Sequence, residues 1–123
     1  MMDQPSSLEM IAAVREFLET RVLPALEGHT AFHARVAINV LGIIARELEQ
    51  YPAALEEERR RLEAILGHPG PIEGLARELC LKLRDGSLGL ESPGVAEHLR
   101  LSTIAKVAID QPLYSGLKTA LTP

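Results

Sequence analysis

Tryptophan is absent from this chain of 123 residues, and phenylalanine and tyrosine supply only two residues each. Base-stacking platforms and aromatic cages for quaternary cations need more rings than that, so neither is expected. Positive charge is also short: 13 Lys and Arg against 17 Asp and Glu leave a formal net charge of −4. A phosphate backbone is held by a clustered positive field, so no nucleic-acid partner is expected. The one cysteine, Cys80, can form no internal disulfide and has no thiol neighbour for a metal centre. Its setting, between Leu79 and Leu81 in a run with helical apolar spacing, predicts a buried structural thiol.

Long hydrophobic runs are missing too. The most apolar stretch, Ala31–Gln50, is interrupted by Arg35, Asn39 and Arg46. It falls short of the ~20 uninterrupted apolar residues that span a bilayer. The first ten residues lack the basic segment and apolar centre of a secretory leader. A cytoplasmic protein without membrane association is therefore expected. There is no strand-like alternation, no internal repeat, no Gly-x-Ser-x-Gly elbow, no phosphate-cradling glycine loop and no dinucleotide fingerprint. No cofactor and no catalytic residue is indicated.

What remains is helix. Hydrophobic residues make up 46% of the chain and charged residues 24%, the balance of a globular domain. Residues 1–123 read as one all-α domain with ends (1–5 and 120–123) that fray. Ser6 and Glu9 have the spacing of a capping box, and Met10, Ile11, Val14, Phe17, Leu18 and Val22 share a face up to Pro24. Thr30 is placed to cap a central helix over residues 31–50, apolar on nearly every side and so expected to be enclosed by the others. Pro52 should open a third helix that stops at Gly67. Within it Glu56 meets Arg60, and Glu57 meets Arg61, at four-residue spacing, which reads as a solvated face. A fourth helix is expected over residues 72–84, burying Ile72, Leu75, Ala76, Leu79, Cys80 and Leu83. A fifth should start with Ser92 as cap and Pro93 in the first turn, and end at Asp110 before Gln111-Pro112. Tyr114 to Leu121 adds a short last turn. The sum is a bundle of about five helices around the central one.

Candidate functional residues lie mainly on that central helix. Arg35, Asn39, Gly42, Arg46 and Glu49 fall on one stripe less than about 90° wide. Three readings are open: a strip of solvent contact, with Gly42 admitting a close neighbour; a buried network pairing Arg35 and Arg46 with carboxylates such as Asp110; or an anion site in which the two arginines hold a phosphate or carboxylate. His29 and His33 have the four-residue spacing of two metal ligands on a helix. His29 is expected to precede the helix, however, which spoils the geometry. His68 and His98 have no acidic or thiol partner at useful spacing.

Phe32–Leu41 together with Ile109–Tyr114, and the opening Val14–Leu18 followed by Val22–Leu26, resemble an uncharacterised bacterial family of short all-helical proteins. The resemblance covers nearly the whole chain. It implies proteins encoded beside, or fused behind, phosphotransferases of the aminoglycoside/choline-kinase-like class, often near acyl-CoA dehydrogenases. It carries no catalytic residues. The resulting expectation is a non-catalytic accessory or interaction domain of a phosphotransferase-like enzyme, with a two-fold homodimer as a related use of the same apolar surface. The alternative is a small-molecule site for a phosphate or acyl-CoA type anion around Arg35 and Arg46. A purely structural module would have the same sequence signature as the first.

Overall fold

The computed structural model describes residues 4–122. Helix α1 (Ser7–Phe17) starts where its sequence dictates. Ser6 Oγ accepts from the Glu9 N–H at 3.1 Å, and the Ser6 N–H donates to the Glu9 carboxylate at 3.2 Å. This closes the expected capping box and satisfies a donor of the first turn that has no partner within the helix. Pro24 shapes the chain ahead of itself. A proline ring crowds the carbonyl four residues back and offers it no N–H. The ladder widens in response: Leu18–Val22 is a π-helical turn, with the Leu23 N–H donating to Leu18 O, and Leu23–Ala25 tightens into a 3-10 turn. The first helical stretch thus ends near Pro24 as expected, through a change of pitch.

The second helix, α2 (Gly28–Leu66), departs from expectation in three ways. It begins at Gly28, not behind a Thr30 cap. Gly28 takes φ +63°, a left-handed conformation that glycine adopts without steric cost, so the chain has reversed before Thr30 is reached. Nor does the helix break at Pro52, which lies within it. An interior proline forfeits one hydrogen bond and costs about 3 kcal/mol. Here Leu48 and Pro52 are both exposed, so water has access to the orphaned carbonyl, and the helix-favouring run from Ala53 onward continues the ladder. Finally, the apolar half of α2 is not enclosed. Phe32, Val36, Val40, Ile44 and Leu48 stand in solvent, while Ala31, Ile38 and Gly42 are buried on the opposite side.

Pro52 nonetheless marks a boundary of another kind. The chain divides between Gln50 and Tyr51 into two compact units. In the first, α1 meets the opening half of α2 where Arg15 reaches Gly42. Arg15, about as far before the turn as Gly42 is after it, lays its guanidinium over that glycine, with Cζ 3.3 Å from where a Cβ would stand. The mid-helix glycine admits this close approach.

The second unit holds the rest of α2 with α3 (Ile72–Asp85), α4 (Val95–Asp110) and α5 (Ser115–Leu121). Leu62, Leu75, Leu79 and Val95 form its core, flanked by Ile65, Ile72, Ala76 and Leu83. Leu62 and Val95 have no exposed surface at all. Burial of each such side chain contributes about 1.5–3 kcal/mol. The expected face of α3 is realised except at Cys80, which is exposed. Cys80 lies about 100° round the helix from Leu79, past the edge of the buried row. Helix α4 starts later than its sequence suggests. The Ser92 hydroxyl accepts from the Gly89 N–H at 2.9 Å, and Ser92 O accepts from the Val95 N–H at 3.2 Å, so Ser92 and Pro93 form a turn ahead of the helix. Asp110 ends α4 before Gln111-Pro112, as expected, and the tail forms α5.

The described residues form five α-helices and no strand, the expected all-α class. No helix among them is long and apolar enough to cross a membrane. Of the ends expected to fray, residues 1–3 and 123 lie outside the described residues, and Ala120 and Leu121 belong to α5.

Candidate interaction surface

The polar stripe of α2 is scattered by its surroundings. Arg35, Asn39 and Glu49 are exposed, Gly42 is buried and Arg46 is half-buried. Asp110 is exposed at the end of α4. The guanidinium that joins Arg46 is that of Arg15. Arg46 Nη1 and Arg15 Cζ each lie 3.3 Å from the point where a Cβ on Gly42 would stand. Arg15 Nη2 is 3.6 Å from the Glu19 carboxylate, and Arg15 Nε is enclosed without a hydrogen-bond partner. Nothing local singles out Arg15, since it faces Gly42 only once α1 has folded back. The available signal was Gly42 itself, a glycine inside a helix.

The histidines also change place. His29 lies inside α2, so it shares a helix with His33 at four-residue spacing, contrary to expectation. Both are exposed, and the His33 ring meets Phe32 edge-on with centroids 5.5 Å apart. Among the described residues no three His, Cys, Asp or Glu side chains are grouped to hold a metal ion. His68 has partners after all: Nδ1 lies 2.9 Å from Pro69 O and Nε2 2.9 Å from the Glu78 carboxylate. Two acceptors favour the doubly protonated ring, and they raise its pKa, the Pro69 carbonyl most.

His98 is the one buried polar side chain among the described residues. Its Nδ1 accepts from Arg61 Nε at 3.2 Å, and Arg61 Nη2 donates to Ser102 Oγ at 3.2 Å. Burial and then the nearby Arg61 charge lower the His98 pKa, so the ring is neutral with its proton on Nε2. This corrects the expectation that Arg61 belongs to a solvated face, while the partner that His98 finds is a guanidinium and neither an acid nor a thiol. Glu56 does reach Arg60 at 3.4 Å, but Glu57 also turns to Arg60, at 3.5 Å. Arg61 is thereby left to staple two turns of α4 to α2. His98 Nδ1 accepts from Arg61, so in this arrangement it is not free to take the Ser102 hydroxyl proton. The recess beside it, lined in part by Tyr51, Glu58, Arg61, Ser102 and Lys106, measures about 20 Å3. That is room for a water molecule, far below the volume of a metabolite site. The cluster fixes helix register by a buried polar network.

The largest chemical anomaly is apolar. Phe32 is 58% exposed, Val40 46% and Leu48 49%, and α1 adds Met10, Val14 and Phe17. All belong to the first unit. Scattered exposed leucines need no explanation, but a continuous helical row of them marks a contact surface.

Residues 24–114 match the family described as Domain of unknown function (DUF6285). No curated protein and no solved structure matches the chain.

Proposed function

The chain belongs to the DUF6285 family, and from that premise we propose that it is a non-catalytic interaction domain of the bacterial cytoplasm, acting as the accessory of a phosphotransferase-like enzyme. One observation carries the reading. The first unit leaves the row Phe32, Val36, Val40, Ile44 and Leu48 in water, at a hydrophobic cost of roughly 25 cal/mol per Å2 that a bound partner would remove. The enzyme as partner follows from the family resemblance of Phe32–Leu41 and Ile109–Tyr114. The buried polar cluster supports a structural role, because Arg61 holds both His98 and Ser102 of α4 on α2.

Light scattering tests this directly. The chain, mixed with the phosphotransferase-like protein encoded nearest to it, should elute as one joint species. Two proteins that elute apart at micromolar concentration overturn the partnership.

A second reading is favoured by the convergence of Arg15 and Arg46 over Gly42, which suits a phosphate-type anion. Calorimetry with inorganic phosphate and coenzyme A should then show binding that Arg46→Met removes. Absence of heat with either ligand overturns it.

A further inference from the structure

The exposed face of α2 has a symmetry that specifies its occupant. Taking 100° per residue, Phe32, His33, Val36, Val40, Ile44, Glu47 and Leu48 lie within about 160° of the helix circumference, and all seven are exposed. The buried Ala31, Ile38 and Gly42 face the other way. Ala37 apart, the exposed positions pair off about Val40, apolar with apolar and imidazole with carboxylate. Phe32 and Leu48 are equidistant from it, as are Val36 and Ile44, and so are His33 and Glu47.

We infer that this face is covered by a second copy of the same chain, with the two α2 helices antiparallel about a two-fold axis that passes beside Val40. Such an interface is isologous, so every residue meets its mirror position. Phe32 then packs against Leu48 of the partner subunit, and Val36 against Ile44 of the partner subunit. His33 offers an imidazole N–H to Glu47 of the partner subunit. A parallel pairing would instead set Glu47 against its own copy, a like-charge contact. Each first unit is a helical hairpin whose buried side includes little beyond Ala31 and Ile38. Two hairpins joined on α2 make a four-helix assembly with an apolar centre. The inference rests on the reading of this face as an interface. It adds that the α2 row is filled by the second copy, which leaves the exposed Met10, Val14 and Phe17 of α1 as the apolar surface on which a preformed dimer meets the phosphotransferase-like enzyme.

The test uses the full chain. Light scattering of the protein alone should give twice the chain mass. Val40→Glu places two carboxylates together at the axis and should weaken dimerisation by about 100-fold or more. Glutamate is a better helix former than valine at this exposed site, so circular dichroism should show an intact fold. Leu81→Glu, at an exposed leucine of the second unit, should remain dimeric. In a Cys80→Ser background, Val40→Cys should cross-link two chains on mild oxidation, whereas Phe32→Cys should not. A wild-type protein of single-chain mass at about 100 μM overturns the dimer, as does a dimeric Val40→Glu. A Phe32→Cys that cross-links as readily as Val40→Cys overturns the antiparallel arrangement. These outcomes are separable from the enzyme partnership. A monomer that still co-elutes with the enzyme removes only the dimer, and a dimer that ignores the enzyme removes only the partnership.

Discussion

The second unit buries Leu62, Leu75, Leu79, Val95, Ile109 and Leu117, whereas the first buries Ala31 and Ile38 and exposes Met10, Phe17, Phe32 and Val40 among others. Helical propensity and apolar content do not separate the two. The number of helices available to close around a side chain does. The part of α2 beyond Tyr51 has α3 and α4 as neighbours and is covered by them through Leu62, Leu75, Leu79 and Val95. Within the first unit its earlier half has α1 as its one partner helix, and one helix shields one face of another. An apolar helix is therefore evidence of burial against something, which need not belong to the same chain.

This contrast is sharpened most by core truncation. Leu62→Ala should destabilise the protein by about 2–5 kcal/mol in urea denaturation, because the fully enclosed site leaves a cavity. Ile38→Ala should sit near the low end of that range, since a two-helix site can collapse around the loss. Equal losses at both positions would break the comparison.

Pro52 tests the continuity of α2. In a continuous α2, Pro52→Ala restores a hydrogen bond and should stabilise by about 1–3 kcal/mol. A proline at the first position of a separate helix would give no gain. A thermal melt followed by circular dichroism decides between them.

Arg61→Met should cost about 1–3 kcal/mol, since it leaves the buried Nδ1 of His98 without its donor. That variant has no counterpart in the first unit, because among its described residues none of the buried ones is polar.

The smallest expected effects are those of pH, and the two partnered histidines act in opposite senses. His98 has a folded pKa below its ordinary value of 6.5. Its contribution is complete above that value and is lost as pH falls through 6.5 toward the folded pKa, where the unfolded chain binds the extra proton. His68 has a folded pKa above 6.5. Its contribution is present below 6.5 and is lost as pH rises through the folded pKa. Stability profiles of His98→Gln and His68→Gln should each lose one of these slopes. A His98→Gln profile that keeps its acid slope would deny that the burial of this ring matters.

The sequence by itself determined the all-α class, the capping box at Ser6, the reversal after Pro24, the buried row of α3 and the stop at Gln111-Pro112. Each depends on groups within a few residues of one another, where propensity and hydrogen-bond geometry suffice. Tertiary structure decided the rest. It carried α2 through Pro52, turned Cys80 outward, brought Arg15 over Gly42 and set Arg61 on His98 across 37 residues of chain. It also decided which side of α2 is covered. Periodicity states that a face is apolar, but only the count of neighbouring helices states whether it is covered, and over residues 32–48 the first unit by itself supplies too few.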